Sequence, residues 1–169
     1  MTAFRTQTAK RLVRGAVIGL VLSFAAADVS RAQSAFAHLA GAWAGSGSIE
    51  LSTAREPIRC RASYDVLEDR HNLQLNIRCA SDSYNFDLRA SATYSGGAIS
   101  GSWSESTRNA AGTISGNAEG DRIQVLATSS LFTAELTLVT RGNRQSVLIK
   151  SQDKESSVKG AIITLQRSS

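Results

Sequence analysis

The chain has 169 residues, of which 42% are hydrophobic and 20% are charged, and its formal net charge is +5 at pH 7. Most of that charge lies near the N-terminus, because residues 35–169 keep 14 of the 19 Lys and Arg residues and 13 of the 14 acidic residues, a net charge of 14 − 13 = +1. Such a balance excludes whole-protein electrostatic steering toward nucleic acid. The sequence also contains no helix-turn-helix, zinc-finger or RNP pattern, so we expect no nucleic-acid partner.

Residues 1–34 have the pattern of a secretory signal peptide followed by a short leader. An apolar segment of thirteen residues, 15–27, is shorter than a membrane-spanning helix. It is preceded by the basic residues Arg5, Lys10, Arg11 and Arg14. Cleavage is expected after Ala27 or near Ser34, and a short anchor that stays attached is the alternative. The sequence therefore predicts a periplasmic or secreted protein that does not span a membrane after cleavage, with a single domain over residues 35–169.

The first predicted strand begins near Trp43. From there, small or apolar residues alternate with polar ones as far as Leu51. One face of this strand carries Trp43, Gly45, Gly47, Ile49 and Leu51. A period of two is typical of a β-strand with one buried face.

The two cysteines fix the register of the next two strands. Apolar and polar residues alternate over residues 57–67 and again over 73–79, with a polar turn between them. In an antiparallel hairpin whose paired positions sum to 139, the apolar faces coincide and Cys60 lies opposite Cys79. That separation suits a disulfide bond, and two cysteines in an exported chain most simply form one intramolecular bridge.

The alternation continues almost to the C-terminus. Further strands are predicted near residues 84–94, 99–105, 114–118, 123–127, 132–138, 147–149 and 158–167. The turn signals between them are Gly96-Gly97, Gly120-Asp121 and Gly142-Asn143. The first of these turns places Trp103 opposite the small residue Ala90. The last strand has apolar residues on both faces, so its orientation stays open.

These elements predict an all-β fold, an antiparallel up-and-down meander of eight to ten strands closed into a barrel. An open sheet of this length would leave an apolar face and two edges exposed, and closure removes both. A β-sandwich is the alternative, but its Greek-key connections need longer crossovers than the sequence provides. An outer-membrane barrel is disfavoured because few aromatic residues are present for girdles.

The mature chain resembles uncharacterised exported small proteins of proteobacteria. The resemblance spans nearly all of residues 39–167 and rests on LAGAWAGSGSI, IRCRASY, NIRCASDSY and ISGSWSES. It implies no particular activity. A weaker resemblance, to the calycin-like barrels (lipocalins, avidins and nitrobindins), rests on the G-x-W-x-G-x-G run from Gly41 to Gly47.

The calycin-like resemblance implies two further expectations. In lipocalins the tryptophan of this motif packs across one barrel end against an arginine of a late strand, which would be Arg141 or Arg167 here. Nitrobindin-like barrels hold haem through a histidine late in the chain, whereas this sequence has no histidine after His71. That departure removes the haem interpretation, and we expect no cofactor.

No arrangement of residues predicts catalysis or metal binding. His38 and His71 have no second histidine or cysteine at metal-ligand spacing, and no G-x-S-x-G elbow occurs. We therefore assign no catalytic residue and no metal ligand, and expect a non-enzymatic protein. Glu105 is the one acidic residue on the apolar register of its strand, which places it either in the barrel mouth or at a solvated rim.

A basic patch is expected on the exterior of the disulfide hairpin. The register places Arg61 directly opposite Arg78, with Arg59 two residues along. Like charges opposite each other cost stability, so the patch could attract an anionic partner. The alternative is that Asp65, Asp87 or solvent relieves the repulsion.

The interior of the predicted barrel combines aromatic and small side chains. The aromatic side chains predicted to contact a ligand are Trp43, Tyr64, Phe86, Tyr94 and Trp103. The small inward residues leave space inside the barrel. This space is either a cavity beside the rings or is filled by the rings themselves. The sequence thus favours binding of a small hydrophobic or aromatic ligand. The alternative is a protein-binding or envelope-associated module, such as a protease inhibitor acting through a segment near Ala35–Ala40.

Overall fold

The computed structural model describes residues 34–130 and 132–168. Within them ten strands follow one another along the chain and every pairing is antiparallel. The strands are β1 (Gly41–Leu51), β2 (Arg55–Val66), β3 (Asn72–Ala80), β4 (Asn85–Ser95), β5 (Ala98–Glu105), β6 (Ala110–Glu119), β7 (Arg122–Ser129), β8 (Thr133–Arg141), β9 (Arg144–Ser151) and β10 (Val158–Arg167). The predicted signal peptide lies outside the described residues.

The ten strands close into a barrel. Each strand pairs with its neighbours in sequence, and β1 pairs with β10, so the described sheet has no free edge. This confirms the predicted up-and-down barrel, at the upper end of the expected strand count, and excludes the sandwich. Closure satisfies the edge hydrogen bonds that an open meander would leave exposed.

The register predicted from the cysteines is confirmed. Cys60 and Cys79 are paired across β2 and β3 and joined by a disulfide bond. Both are 3% exposed, so the bridge is part of the core. The predicted hairpin turns also have the expected register, which pairs Tyr94 with Ile99, Ala90 with Trp103 and Leu138 with Val147.

The structure orients the last strand, which the sequence left open. Ala161, Ile163 and Leu165 are buried in the core, whereas Ile162 is 54% exposed. The ladder to β1 decides this, because Ile163 pairs with Gly47 and Leu165 with Gly45, two inward positions of the first strand. The glycines matter here, since a methyl group at Gly45 or Gly47 would run into the backbone of β10.

One end of the barrel is covered by the segment that precedes β1. Residues 35–39 form a turn, closed by a hydrogen bond from the Leu39 amide to the Phe36 carbonyl at 2.9 Å. Phe36 and Leu39 are almost completely buried and belong to the barrel core. We call residues 35–39 the plug and the end that they cover the plugged end. The β2–β3 and β4–β5 turns lie at the same end. The other end carries the β1–β2, β3–β4 and β5–β6 turns, and we call it the far end.

In the part of the chain that the structure describes, there is no helix of the length and hydrophobicity needed to cross a membrane.

Candidate ligand cavity

The barrel encloses an apolar cavity of about 140 Å³. Its walls come from β2 through β10, and the plug closes it from one end. The lining side chains include Phe36 and Leu39 of the plug, Leu75, Ile77, Phe86 and Leu88 of β3 and β4, Trp103 of β5, Ile114 of β6, Val125 and Ala127 of β7, and Leu136, Leu138, Ile149 and Ile163 of β8 to β10. No charged side chain lines it among the described residues. A cavity of about 150 Å³ lined by such residues stays dry and accepts benzene, so this one has room for a single-ring compound.

Of the five aromatic residues that the sequence predicts as ligand contacts, three line the cavity and two do not. Tyr64, Phe86 and Trp103 line the cavity. Trp43 and Tyr94 do not: both lie at the plugged end, where Trp43 packs beneath Leu39 and Tyr94 packs edge-on against Phe36 with ring centroids 6.0 Å apart. Contact of any of the five with a ligand stays a prediction.

Trp43 closes the plugged end. Its Nε1 donates a hydrogen bond of 2.8 Å to the Leu39 carbonyl oxygen, which fastens the plug to β1. The guanidinium of Arg167 lies 4.4 Å from the centre of the Trp43 ring system and donates to the backbone carbonyl oxygens of His38 and Ala40. The expected tryptophan–arginine pair across a barrel end is therefore confirmed, and the partner is Arg167 rather than Arg141.

Polar groups inside the plugged end are paired with one another. The Tyr64 hydroxyl donates to Gln145 Oε1 at 2.7 Å, and Gln145 Nε2 donates to Thr140 Oγ1 at 3.0 Å. Burial raises the pKa of Tyr64 well above its ordinary value of 10.0, while its hydrogen bond to Gln145 acts in the opposite direction. Tyr64 is therefore a neutral wall of the cavity at physiological pH. Sequence patterning missed Gln145, because a buried glutamine on an inward register is recognisable only once its tyrosine partner is placed.

Aromatic side chains gather at the far end. Trp103 packs against Phe132 with ring centroids 5.2 Å apart, and Tyr84 against Phe86 at 6.4 Å. The Arg108 guanidinium lies 4.0 Å from the centre of the Tyr84 ring. Of these rings, Phe86 and Trp103 line the cavity, so aromatic side chains border it on the side of the far end.

Glu105 holds the far-end turns together. It is 7% exposed and accepts hydrogen bonds from the backbone amides of Asp87, Thr107 and Arg108 at 3.0, 2.9 and 2.8 Å. The Thr107 hydroxyl donates to it as well. Glu105 thus lies at the rim, which was one of the two positions predicted from the sequence. It is buried there, whereas that prediction expected it to be solvated. Its hydrogen bonds give it a structural role in the β5–β6 turn.

Replacing Glu105 by glutamine should lower the free energy of unfolding by about 1–3 kcal/mol at neutral pH, because an amide NH₂ would face backbone donors. Burial tends to raise the pKa of Glu105, but the hydrogen bonds from Thr107, Asp87 and Arg108 outweigh it and bring the pKa below 4.5. A lowered pKa in the folded state stabilises the protein above the unfolded pKa, and this contribution disappears as the pH falls through the folded pKa. The difference between wild type and E105Q should therefore shrink in acid, as measured by urea unfolding.

The exposed residue Glu119 provides the matched control for this measurement. The E119Q variant should change the free energy of unfolding by less than about 0.5 kcal/mol. An E105Q variant as stable as wild type at neutral pH would contradict the structural role of Glu105.

The basic patch lies on the outer surface of β2 and β3. Arg61 and Arg78 are paired directly across the two strands, and Arg59 is paired with Ala80. Arg78 donates from Nε to Asp87 Oδ2 at 2.7 Å, so one of the three charges has an acidic partner on β4. This ion pair reduces the repulsion between the arginines, as the alternative to an anionic partner predicts. Binding of such a partner by Arg59, Arg61 and Arg78 stays a prediction.

Neither histidine lies in a group of potential metal ligands among the described residues. The His71 ring stacks on Tyr94 at 6.1 Å, with its Nδ1 3.2 Å from the Tyr94 carbonyl oxygen. His38 belongs to the turn of residues 35–39, and its side chain is exposed. Among the described residues, no group of three or more His, Cys, Asp and Glu side chains is arranged to hold a metal ion.

Comparison with known proteins identifies the fold but no family. The chain matches no protein-family model, and no curated protein matches it by sequence. Among solved structures it is similar to Rv2717c from M. tuberculosis, with a TM-score of 0.63 and 12% identity over 84% of this chain and 100% of that one. It is also similar to the S-type phycobiliprotein lyase CPES from Guillardia theta, with a TM-score of 0.53 and 13% identity over 79% of this chain and 90% of that one. Identities this low show a shared barrel fold and nothing more.

Proposed function

We propose that this protein is a non-enzymatic, exported β-barrel that binds one small, uncharged apolar or aromatic ligand in its interior. The observation that carries the proposal is the apolar cavity of about 140 Å³ inside the barrel. Ligand sites are concave, mostly apolar and largely preformed, and this cavity has all three properties. The fold likeness to a phycobiliprotein lyase is consistent with a barrel that handles a small molecule.

Export is part of the same proposal. The Cys60–Cys79 disulfide bond is of the kind that persists in oxidising compartments, and the signal-like residues 1–34 point the same way. Native mass spectrometry of the protein purified from the periplasm tests both parts. A chain lacking the signal, two hydrogens lighter than the reduced form and carrying a small molecule, is the expected result. Full-length protein with free thiols in the cytoplasm would refute export.

The structure disfavours one form of the protein-binding alternative, in which a free N-terminal arm binds the partner. The segment near Ala35–Ala40, which would have to act as an inhibitory arm, lies in a turn whose Phe36 and Leu39 side chains are buried in the barrel. The large exposed apolar residues among those described are Leu67, Leu126 and Ile162, which lie on a turn and on the separate strands β7 and β10. Their positions on different elements give no sign of the large exposed apolar patch that often marks an interaction site.

Filling the cavity should abolish binding without unfolding the barrel. Ala127 lines the cavity, so leucine there would occupy ligand space. We expect A127L to bind the single-ring probe α-methylstyrene at least about tenfold more weakly than wild type, with thermal stability equal or slightly changed, since added methylenes cost about 1–3 kcal/mol only where no space exists. Binding is measured by the ligand-dependent rise in melting temperature.

The neighbouring residue offers a matched control. Thr128 is exposed on the outer face of β7, so T128L adds a similar side chain outside the barrel and should bind α-methylstyrene as wild type does. Equal binding by A127L and wild type would place the ligand elsewhere and overturn the proposal.

A further inference from the structure

We propose that the outer surface of strands β1 to β5 binds an anionic polysaccharide, a chain of sugars that carry carboxylates. The site is a shallow groove on the outside of the barrel, formed by two surface depressions of about 710 and 480 Å³. The first depression lies over β1 to β3 and contains the basic patch, and the second lies over β2 to β5. They meet at Ser63 and Asn76, which line both and are paired across β2 and β3. We call the two depressions together the outer groove.

The charged side chains of the outer groove are mostly basic. Five charged side chains line it among the described residues, namely the four arginines Arg59, Arg61, Arg78 and Arg89 and the single acid Asp65. Arg61 and Arg78 are directly opposite each other, an arrangement that places Cβ atoms about 5 Å apart. Since residues 35–169 as a whole carry a net charge of only 14 − 13 = +1, the groove is a local concentration of positive charge.

Two of these arginines are not neutralised by the protein. Arg59 and Arg61 form no ion pair and no side-chain hydrogen bond with any described residue. Arg78 is bonded to Asp87, but through its Nε atom alone. The parallel N–H groups of a guanidinium match the two oxygens of a carboxylate. The groove therefore offers donors in the geometry that carboxylate groups require.

Polar side chains without charge line the groove beside the arginines. Their hydroxyl and amide groups belong to Ser63, Gln74, Asn76, Ser91, Ser102 and Ser104. None of these side chains is hydrogen-bonded to another described residue. Hydroxyl and amide groups both donate and accept, so they can pair with the hydroxyls of a sugar. Because neighbouring strands lie about 4.8 Å apart, a groove across β1 to β5 is on the order of 20 Å long and spans several sugars.

The same features disfavour other anionic partners. An exposed ion pair contributes little, so a single small anion would bind weakly, whereas a repeating chain engages several arginines at once. A lipid surface is bound with the help of inserted apolar side chains, but the exposed residues Leu67, Leu126 and Ile162 all lie outside the groove. An acidic peptide that binds as an added strand needs a free sheet edge, and the described sheet has none.

The test uses tetragalacturonate, in which every sugar carries a carboxylate, and its fully methyl-esterified form as the uncharged control. Titration of ¹⁵N-labelled protein at low salt, followed by NMR, gives both the affinity and the location of binding. We expect tetragalacturonate to shift the backbone signals of β2 and β3 most and to bind more weakly as salt is added. It should bind at least about tenfold more tightly than either the ester or monomeric galacturonate.

Two double variants locate the site. R59S/R61S should bind tetragalacturonate about tenfold more weakly than wild type, because two charge-assisted contacts are lost. Neither arginine has a partner in the described structure, so this variant should fold as wild type does. The matched control R122S/R144S removes two exposed arginines from β7 and β9, has the same net charge, and should bind as wild type does.

Several results would overturn the proposal. Wild type that does not bind tetragalacturonate at low salt, or equal weakening in both double variants, would remove the site. Equal binding of the methyl ester would show that carboxylates are not recognised. Monomeric galacturonate that binds as tightly as the tetramer would reduce the groove to a small-anion site. Binding of phosphatidylglycerol vesicles without binding of tetragalacturonate would assign the arginines to a membrane surface instead.

Discussion

Replacing Trp43 by alanine should lower the free energy of unfolding by about 3–5 kcal/mol, the usual cost of removing a fully buried aromatic side chain. Trp43 is 1% exposed and contacts β10, β2 and the turn of residues 35–39, which meet at the plugged end. The Arg167 guanidinium packs over its ring, and the Tyr64 ring packs edge-on against it with centroids 6.3 Å apart. Its Nε1 donates a hydrogen bond to the Leu39 carbonyl oxygen. The variant should melt on the order of 10 °C below wild type, measured by circular dichroism.

Two further variants locate the source of that loss. W43F keeps an aromatic ring but removes the donor to Leu39, so it should cost about 1–2 kcal/mol, less than alanine does. Leu126 is a large apolar residue that is 38% exposed on β7, and L126A should cost less than about 1 kcal/mol. A W43A barrel as stable as L126A would show that the plugged end does not depend on its tryptophan.

Loss of the disulfide bond should cost about 3 kcal/mol. Cys60 and Cys79 are separated by 19 positions, and closing a loop of that length restricts the unfolded chain by about this amount. We expect the C60A/C79A variant and reduced wild type to unfold at similar urea concentrations, both well below oxidised wild type. The bridge joins two strands that are already paired, so the barrel should still form without it, at lower stability.

The reductant itself serves as the control. It should destabilise wild type and leave C60A/C79A unchanged, because the variant has no bond to reduce. A wild type whose urea midpoint does not respond to complete reduction would contradict the loop-entropy account of the bridge.

Side-chain alternation predicted most of the fold, because a one-residue slip would exchange the two faces of a strand. The pairing of Cys60 with Cys79 and the Gly96-Gly97 and Gly142-Asn143 turns each set a register locally, and the structure confirms all three. Strand β10 shows the limit of the method. Its apolar residues face both ways, so only pairing with the glycines of β1 could orient it.

The cavity was less predictable than the barrel. The inward position of an aromatic residue follows from the register, but whether its ring faces empty space depends on what fills the barrel end. Phe36 and Leu39 fill that end, and they lie in a segment without strand periodicity, for which the sequence predicted no role in the barrel core.

The pairing of β1 with β10 has a consequence for how the chain folds. Every other ladder joins strands that are consecutive in sequence, whereas this one brings Trp43 beside Arg167. Hairpins can form early and locally, but a contact between such distant residues carries a large loop-closure entropy and slows folding. We expect the seam between the first and last strands to be the last part of the barrel to assemble, after the hairpin that carries the disulfide bond. Until it closes, both edges of the sheet are open to pairing with other chains.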